Sequence, residues 1–342
     1  MLRARFLTVA AAGLALLAGN AVAPPPATAQ GLPVAIGIQD SPDWLLHVAR
    51  DLKLFEKVGL TPTFVRFPGG PPMIEAVQSG SLDIASVGSV TFLMGLARGL
   101  DWKIIGINPE GAYSQGIVVR RDSGIAGHTD LKGKRIGVFH GSMAEYGMMM
   151  ILRAHGITRN QVTIEYMTPE EQVAALQSRR IDAAAMREPW LQRVVHSQNA
   201  RVIAREGDVG IYTNVDTYSV RRDWLATHRP TAVRFLQALL MASDVIEKDP
   251  QVAVRLFAAE MHLKRAWVET IFENVPPPLI HQWANPRYTY SLTKNGPFQR
   301  RLSYLGHYLL DEGLIKQPVD VSDAMDVSLI VEASKGRAVK SE

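Results

Sequence analysis

An internal repeat constrains the fold of this chain more than any other feature of its sequence. Residues 76–85 read AVQSGSLDIA and residues 175–184 read ALQSRRIDAA, so five of ten positions are identical. A similar tripeptide precedes each copy, Ile36-Gly37-Ile38 in one case and Ile136-Gly137-Val138 in the other. Each copy has the pattern of a helix end, a turn and the start of a strand. The repeat therefore predicts two α/β lobes of similar build.

The remaining pattern also alternates between strands and helices. Short runs rich in β-branched residues are predicted to be strands, and they are residues 34–38, 63–67, 84–87, 103–107, 117–119, 135–139, 162–167, 181–185 and 201–204. Helices are predicted between them, with Ser41 as one N-cap and Thr168 as the first residue of a capping box. Two further helices, 230–247 and 250–260, are expected to pack back onto the first lobe.

The amino terminus has the pattern of a secretory signal. Arg3 and Arg5 precede an apolar run over residues 6–18, and Ala27-Thr28-Ala29 forms a small-x-small cleavage site. The apolar run is shorter than the roughly 20 residues that span a bilayer. We therefore expect residues 1–29 to be a signal peptide that is removed, and the mature protein to be soluble in the periplasm.

The composition argues against several classes of protein. The chain has 342 residues, of which 47% are hydrophobic, and this is enough to bury the cores of two lobes. Cysteine is absent, which excludes disulfides, thiolate metal sites, a cysteine nucleophile and a lipoprotein anchor. The formal net charge is only +4 and no basic run is interleaved with aromatic residues, so no nucleic-acid partner is expected. A monomer that binds a small molecule, without a metal or another cofactor, agrees with these properties.

Four motifs follow one another along the chain in a fixed order. They are LFEKVGL at residues 54–60, QSGSLDIA at 78–85, the stretch from DSGI to DLKGKRI at 122–136, and Glu188-Pro189. In this order and spacing they resemble the nitrate/sulfonate/taurine family of periplasmic substrate-binding proteins of ABC importers. The resemblance implies a type II periplasmic-binding-protein fold, in which two α/β lobes are joined by a two-crossing hinge. It also implies a partner, an ABC permease in the inner membrane with its cytoplasmic ATPase.

The same resemblance implies a domain organisation. The expected parts are residues 30–119 as the first part of lobe 1, 120–218 as lobe 2, 219–331 as the second, helical part of lobe 1, and 332–342 as a polar tail. The hinge crossings are expected near residues 118–121 and 217–220. A related branch, the thiamine-pyrimidine synthases, are enzymes that use a cysteine-rich loop, and the absence of cysteine argues against that role here.

Candidate ligand-binding residues follow from the expected fold. Ligands of open α/β sheets bind beyond the carboxyl ends of strands, where loops lead into helix N-termini that favour anionic oxygens. The candidates in these loops are Ser41, Trp44, Gly69, Gly70, Gly88, Ser89, Thr91, His140, Gly141, Ser142, Glu188 and Trp190.

Several of these candidates have a structural alternative. Ser89 and Ser142 stand at matching strand-to-helix entrances, one in each lobe, and each either donates a hydrogen bond to the ligand or caps its own helix. Trp44 is either an aromatic wall of the site or a core residue. His140 is expected to form hydrogen bonds and not to bind a metal. Glu188 either binds an ammonium group, pairs with a neighbouring arginine or caps a helix.

The sequence therefore predicts a solute-binding component of an ABC importer that captures a sulfonate, taurine-like or carboxylate ligand between two lobes. One alternative is a transport protein of the same fold that binds a pyrimidine precursor. Another is a hydrolase whose Ser/His site is assembled from distant residues. No Gly-x-Ser-x-Gly, His-Glu-x-x-His, Walker or Gly-x-Gly-x-x-Gly motif occurs. We therefore expect a binding protein and not an enzyme.

Overall fold

The computed structural model describes residues 31–109, 111, 113–210 and 215–336. The predicted signal peptide, residues 1–29, lies outside the described residues, as do residues 337–342 of the predicted tail. The described chain forms two five-stranded sheets with helices packed against them. None of the helices in this described part combines the length and the apolar character needed to cross a bilayer.

The first sheet contains strands from both ends of the chain. Its strands are β1 (Leu32–Gln39), β2 (Leu60–Phe67), β3 (Ile84–Gly88), β4 (Trp102–Pro109) and β10 (Val215–Arg221). Their order in the sheet is β2-β1-β3-β10-β4. β1 pairs in parallel with β2 and β3, whereas β10 runs antiparallel between β3 and β4. The helices between these strands are α1 (Trp44–Asp51), α2 (Leu54–Lys57), α3 (Met73–Gln78) and α4 (Ser89–Ala97).

The second sheet has the same arrangement. Its strands are β5 (Gln115–Arg120), β6 (Arg135–Val138), β7 (Thr163–Tyr166), β8 (Ala183–Arg187) and β9 (Ala200–Arg205). Their order is β7-β6-β8-β5-β9, and β5 is the antiparallel strand, between β8 and β9. The helices are α5 (Met143–Ala154), α6 (Pro169–Gln177) and α7 (Trp190–Ser197). Each sheet thus consists of three parallel strands, one antiparallel strand and an edge strand, as the internal repeat predicted.

The aspartate of each repeat has the same structural role. Asp83 Oδ2 accepts a hydrogen bond from the N–H of Ala35 at 2.8 Å, and Asp182 Oδ2 accepts one from the N–H of Arg135 at 2.9 Å. In both copies the aspartate therefore connects the turn after a helix to the central parallel strand. This requirement explains why the residue type is the same in both copies.

The glycine of each flanking tripeptide also has the same role. A Cβ atom on Gly37 would lie 2.6 Å from Leu82 Cδ1, and one on Gly137 would lie 2.7 Å from Ile181 Cδ1. Both distances are shorter than carbon atoms adopt without a shift, so glycine allows an apolar side chain of the turn to pack directly on the central strand in each sheet.

The chain crosses between the sheets twice, and both crossings lie earlier than expected. It leaves the first sheet after β4 and enters the second at β5, and it returns between β9 and β10. Residues 118–120 belong to β5 and residues 217–220 to β10, so the expected boundaries fall inside strands. The physical reason is that both segments are buried and hydrogen-bonded on two sides, by β8 and β9 or by β3 and β4. The crossings are the connections before these strands.

Helices of the carboxyl-terminal region cover the first sheet, as the sequence predicted. They are α8 (Arg222–Lys248), α9 (Gln251–Met261), α10 (Arg265–Asn274), α11 (Pro297–Asp311) and α12 (Ser328–Ala333). α8 packs against α1, α2 and β4, and α9 packs against α1. α8 begins eight residues before the expected start at Pro230, because the chain continues through a kink at His228 (φ −120°, ψ 25°). The expected polar tail begins within α12.

Two predicted helix starts have different outcomes. Ser41 does not cap α1, because Asp43 is the N-cap and its Oδ1 accepts from the N–H of Leu46 at 3.2 Å. The capping box of α6 is confirmed. Thr168 Oγ1 accepts from the N–H of Glu171 at 3.3 Å, and Glu171 Oε2 accepts from the N–H of Thr168 at 2.7 Å.

Candidate ligand-binding site

A cleft lies between the two sheets, at the carboxyl ends of their parallel strands. Its cavity volume is about 30 Å³, and the space around this cavity includes open solvent. The first sheet contributes residues that end or follow β1, β2 and β3, and the second contributes residues that end or follow β6, β7 and β8. This is the location that strand-end loops predict for a ligand.

Six of the twelve candidate residues line this cleft: Gly69, Gly70, Gly88, Thr91, Ser142 and Trp190. Two of the glycines allow the opposite sides to touch. A Cβ atom on Gly69 would lie 2.5 Å from Phe139 Cε1, and one on Gly88 would lie 2.6 Å from Met143 Cγ. Phe139 and Met143 belong to the second half of the fold, so these glycines are points of contact across the cleft.

Trp44 and Ser41 lie away from the cleft. Trp44 is fully buried, and its Nε1–H donates to the carbonyl of Val275 at 2.6 Å. Its ring packs against Phe257 and Phe272, with centroids 5.1 and 5.0 Å away. The structure therefore supports the core alternative for Trp44. Ser41 is also buried, and it precedes α1 without lining the cleft.

The two serines at helix entrances have different environments. Ser142 lines the cleft and is the N-cap of α5: its Oγ accepts from the N–H of Glu145 at 3.3 Å and donates to the carbonyl of Phe139 at 2.6 Å. Ser89 is the first residue of α4, and its hydroxyl donates to the carbonyl of Val215 in β10 at 2.8 Å. Since each hydroxyl hydrogen already has a backbone acceptor, neither serine has one left to donate to a ligand.

His140 and Gly141 belong to a polar cluster around Glu145. The carboxylate of Glu145 is buried and lies 3.1 Å from His140 Nδ1 and 2.7 Å from the N–H of Gly141. Tyr166 donates its hydroxyl hydrogen to the other carboxylate oxygen at 2.8 Å. The side chain of His140 is 52% exposed and does not line the cleft. This cluster therefore shapes the loop that leads into α5.

Glu188 follows β8 and contacts residues at both places where the chain crosses between the sheets, Ser114 before β5 and Arg205 at the end of β9. Its Oε1 is 3.3 Å from Nη2 of Arg205, its Oε2 accepts from the N–H of Gln192 at 3.1 Å, and its own N–H donates to the carbonyl of Ser114 at 2.7 Å. The side chain is fully buried, and burial raises the pKa of Glu188 to about 7, although the charge of Arg205 opposes this. These contacts support the structural alternatives for Glu188 over a ligand contact.

Polar residues that were not among the candidates form one wall of the cleft. Arg187 Nη2 lies 2.8 Å from Oδ2 of Asp216, and Gln39 Nε2 donates to the same oxygen at 3.2 Å. Burial raises the pKa of Asp216, and the charge of Arg187 opposes the increase. Arg187 is the one cationic side chain in the described lining of the cleft, and Asp40, which pairs with Arg66, is the one acidic side chain. Gln39 and Arg187 are the last residues of β1 and β8. The rule that ligands bind at the carboxyl ends of strands could therefore have identified them as candidates from the sequence.

Two helices begin at the cleft from opposite sheets. The N–H groups of Met143 and Ala144, in the first turn of α5, have no acceptor within the helix. The N–H of Val90, in the first turn of α4, meets only a weak acceptor, Met143 Sδ at 3.3 Å. Helix N-termini favour negative charge through these N–H groups and through the helix dipole. The N-terminus of α5 therefore presents donors to the cleft, and α4 begins on the opposite side, where the N–H of Val90 faces Met143.

Further contacts join the two halves at the rim of the cleft. Arg193 of α7 donates from Nη2 to the carbonyl of Met261 at 2.9 Å, and the ring of His196 stacks on Trp267 with centroids 4.1 Å apart. Thr91 Oγ1 lies 3.4 Å from the carbonyl of Gly141 across the cleft. The two halves are thus in contact around the cleft.

A family model described as the NMT1-like family matches residues 41–261. The chain belongs to the NMT1-like family. The match includes every cleft residue named above except Gln39 and Asp40.

Known proteins similar to this NMT1-like chain include a binding protein and an enzyme. A protein of Bacillus subtilis (strain 168) named for binding aliphatic sulfonates is 28% identical over 304 residues, covering 88% of this chain and 87% of the relative. The structure of the alkanesulfonate-binding protein SsuA from Xanthomonas axonopodis pv. citri bound to MOPS has a TM-score of 0.74 and 24% identity, covering 87% of this chain and 99% of that one. The desulfurization enzyme DszB has a TM-score of 0.62 and 16% identity, covering 88% and 98%. At these identities the solved structures establish the fold alone.

Proposed function

We propose that this chain is the extracytoplasmic solute-binding component of an ABC importer, which captures a small organic anion or zwitterion in the cleft. The observation that carries the proposal is the position of α4 and α5. Both helices begin at the cleft, one from each sheet, and the N-terminus of a helix favours the oxygen atoms of a sulfonate or carboxylate group. The names of relatives, which refer to the binding of sulfonates, agree with this ligand class.

The charges at the cleft support a ligand whose anionic group is held by hydrogen bonds from N–H groups and not by an ion pair with a free side chain. Arg187 is held by Asp216, and Asp40 is held by Arg66, so the ionised side chains of the lining are already paired. The N–H groups of the helix termini carry the unbalanced positive potential. Hydrogen bonds from these N–H groups depend on direction as well as on charge. Both the tetrahedral sulfonate and the planar carboxylate have oxygen atoms that can accept such bonds.

The two crossings support a mechanism of capture by closure. A ligand held by both helix N-termini binds the state in which the halves are in contact more tightly than a state in which they are apart. It therefore shifts the population toward the closed form. The permease and its ATPase would recognise that form. The signal-like amino terminus supports a periplasmic location for this step.

The site supports binding more than hydrolysis. A serine hydrolase needs a hydroxyl hydrogen-bonded to a basic imidazole. The hydroxyls of Ser89 and Ser142 both donate to backbone carbonyls, and His140 Nδ1 faces Glu145. No observation favours a pyrimidine ligand over an anion.

The proposal is tested by removing one N–H group at the N-terminus of α5. Ala144 is the second residue of this helix and lines the cleft, and proline is tolerated in the first turn of a helix. Ala144→Pro deletes the donor, and affinity for ethanesulfonate or propanoate in calorimetric titration should fall about ten- to 150-fold, the value of a charge-assisted hydrogen bond.

Two control variants separate the lost hydrogen bond from other effects. Ala144→Ser changes the side chain at the same position with little added bulk and keeps the N–H, and Ala266→Pro places proline at the second position of α10, away from the cleft. Both should bind as the wild type does to within about threefold. Equal affinity of Ala144→Pro and wild type would refute the role of α5. Binding of a neutral pyrimidine, with no binding of any sulfonate or carboxylate, would refute the proposed ligand class.

A further inference from the structure

Gln172 is a buried polar residue of the cleft whose contacts within the protein are incomplete. It lies in the first half of α6, is 1% exposed and lines the cleft. Its Oε1 has no hydrogen-bond partner among the described residues. A buried carbonyl oxygen without a donor lowers stability, so its presence at a binding cleft calls for an explanation.

The orientation of the Gln172 amide is determined by its other end. Nε2 donates to the carbonyl of Met167 at 3.2 Å. Rotation of the amide by 180° would place Oε1 against that carbonyl, and two acceptors would then face each other. The unpartnered atom is therefore the oxygen, an acceptor, and its partner must carry an N–H or O–H group.

The internal repeat shows that the fold does not need an amide at this position. Counted from the aligned segments, position 172 of the second copy corresponds to position 73 of the first, which is a fully buried Met73. A Cβ atom on Gly37 would lie 3.0 Å from Met73 Sδ, and one on Gly137 would lie 3.4 Å from Gln172 Cγ. The two side chains thus pack over equivalent glycines. Met73 does not line the cleft, whereas Gln172 does, so the polar group occurs only on the side that faces the ligand space.

We propose that Gln172 Oε1 accepts a hydrogen bond from the ligand, and that the ligand therefore carries an amino or hydroxyl group besides its anionic group. This inference rests on the proposed function and narrows it. The helix N-termini bind the anionic group, and Gln172 selects for a donor elsewhere on the same molecule. A plain alkyl sulfonate would leave Oε1 unsatisfied in the closed cleft.

The test compares ligands that differ only in the donor. Ethanesulfonate, 2-hydroxyethanesulfonate and 2-aminoethanesulfonate share the sulfonate and the chain length, and propanoate, 3-hydroxypropanoate and 3-aminopropanoate form the matching carboxylate series. In calorimetric titration, wild-type protein should bind the better of the two donor-bearing ligands about five- to 150-fold more tightly than the unsubstituted one, the range for satisfying a buried acceptor.

Gln172→Met tests whether this residue produces the preference, because methionine already occupies the equivalent position of the first repeat. The variant should lose the preference for donors and bind the three sulfonates with similar affinities. Gln177→Met, at the exposed end of the same helix, should retain it. A thermal melt of each variant monitors folding, and the wild-type comparison remains valid irrespective of the variants.

The outcomes distinguish this inference from the proposed function. Equal affinity of wild type for substituted and unsubstituted ligands would overturn the inference and leave the proposed function standing. A preference that persists in a folded Gln172→Met variant would assign the selection to another residue and would also overturn it. Failure of all six compounds to bind would overturn the proposed ligand class, and the inference would fall with it.

Discussion

Replacement of Gly69 by alanine should weaken ligand binding while leaving the fold stable. The added Cβ would lie 2.5 Å from Cε1 and 2.8 Å from Cδ1 of Phe139. An ordinary contact is about 1 Å longer, so the Phe139 ring must move or the cleft must stay wider. Inserting a carbon into a packed contact costs about 1–3 kcal/mol. The cost arises only when the two sides of the cleft touch, and the dissociation constant should therefore rise about five- to 150-fold.

Two measurements and one control variant complete this experiment. Calorimetric titration gives the affinity, and a thermal melt without ligand should shift little, because the halves can separate to relieve the overlap. Gly127→Ala is the matched control, since a Cβ there would meet nothing within 4 Å and the backbone (φ −156°) is extended. If Gly69→Ala binds ligand as tightly as Gly127→Ala, the contact between Gly69 and Phe139 does not belong to the liganded state, and the reasoning about closure is refuted.

Three further substitutions have expected outcomes that follow from the contacts described. The pKa of Glu188 is raised by burial from 4.5 to about 7 in the folded protein. Ionisation of Glu188 therefore destabilises folded wild-type protein more and more as pH rises from 5 to 8. Glu188→Gln lacks this ionisation, so its free energy of unfolding minus that of wild type should increase by about 2.5 kcal/mol between pH 5 and pH 8 in urea titrations. A difference that stays constant with pH would contradict the raised pKa of Glu188. Ser142→Ala should lose about 1 kcal/mol of stability through the lost N-cap, with affinity little changed, and a large loss of affinity in calorimetry would instead assign its hydroxyl to the ligand. Ser89→Ala should likewise lose about 1 kcal/mol in thermal melts through its bond to β10, and an unchanged melting curve would show that this bond contributes nothing.

Much of the fold follows from local patterns in the sequence. The β-branched runs identified the cores of nine strands, and the repeat identified the equivalence of the two sheets. β10 was not identified as a strand, since it was taken for a hinge. β10 is buried and hydrogen-bonded on both sides because it pairs with β3 and β4, and both of these strands are far from β10 in the sequence. No local signal distinguishes a hinge from a strand that completes a distant sheet.

The candidate site could be predicted in part, for a similar reason. The rule that ligands bind at strand ends identified the loops around Gly69, Gly88 and Ser142, because it depends only on chain direction and strand order. Trp44 directly follows such a loop, as the first residue of α1, but it turns into the core and packs against helices from the carboxyl-terminal region. Gln172 lies within a helix, and only the tertiary structure shows that its oxygen has no partner.

The late position of β10 in the chain determines the order in which the two sheets can be completed. The second sheet uses only residues 115–205, so all its strands are available once that continuous segment exists. The first sheet lacks β10 until the segment Val215–Arg221 has been made, and until then β3 has one open edge and β4 pairs with no other strand. Open edges of apolar strands are templates for association with other chains, and contacts over long sequence separations form slowly. A growing chain therefore cannot complete its first sheet until residues 215–221 have been made, although its second sheet is already available.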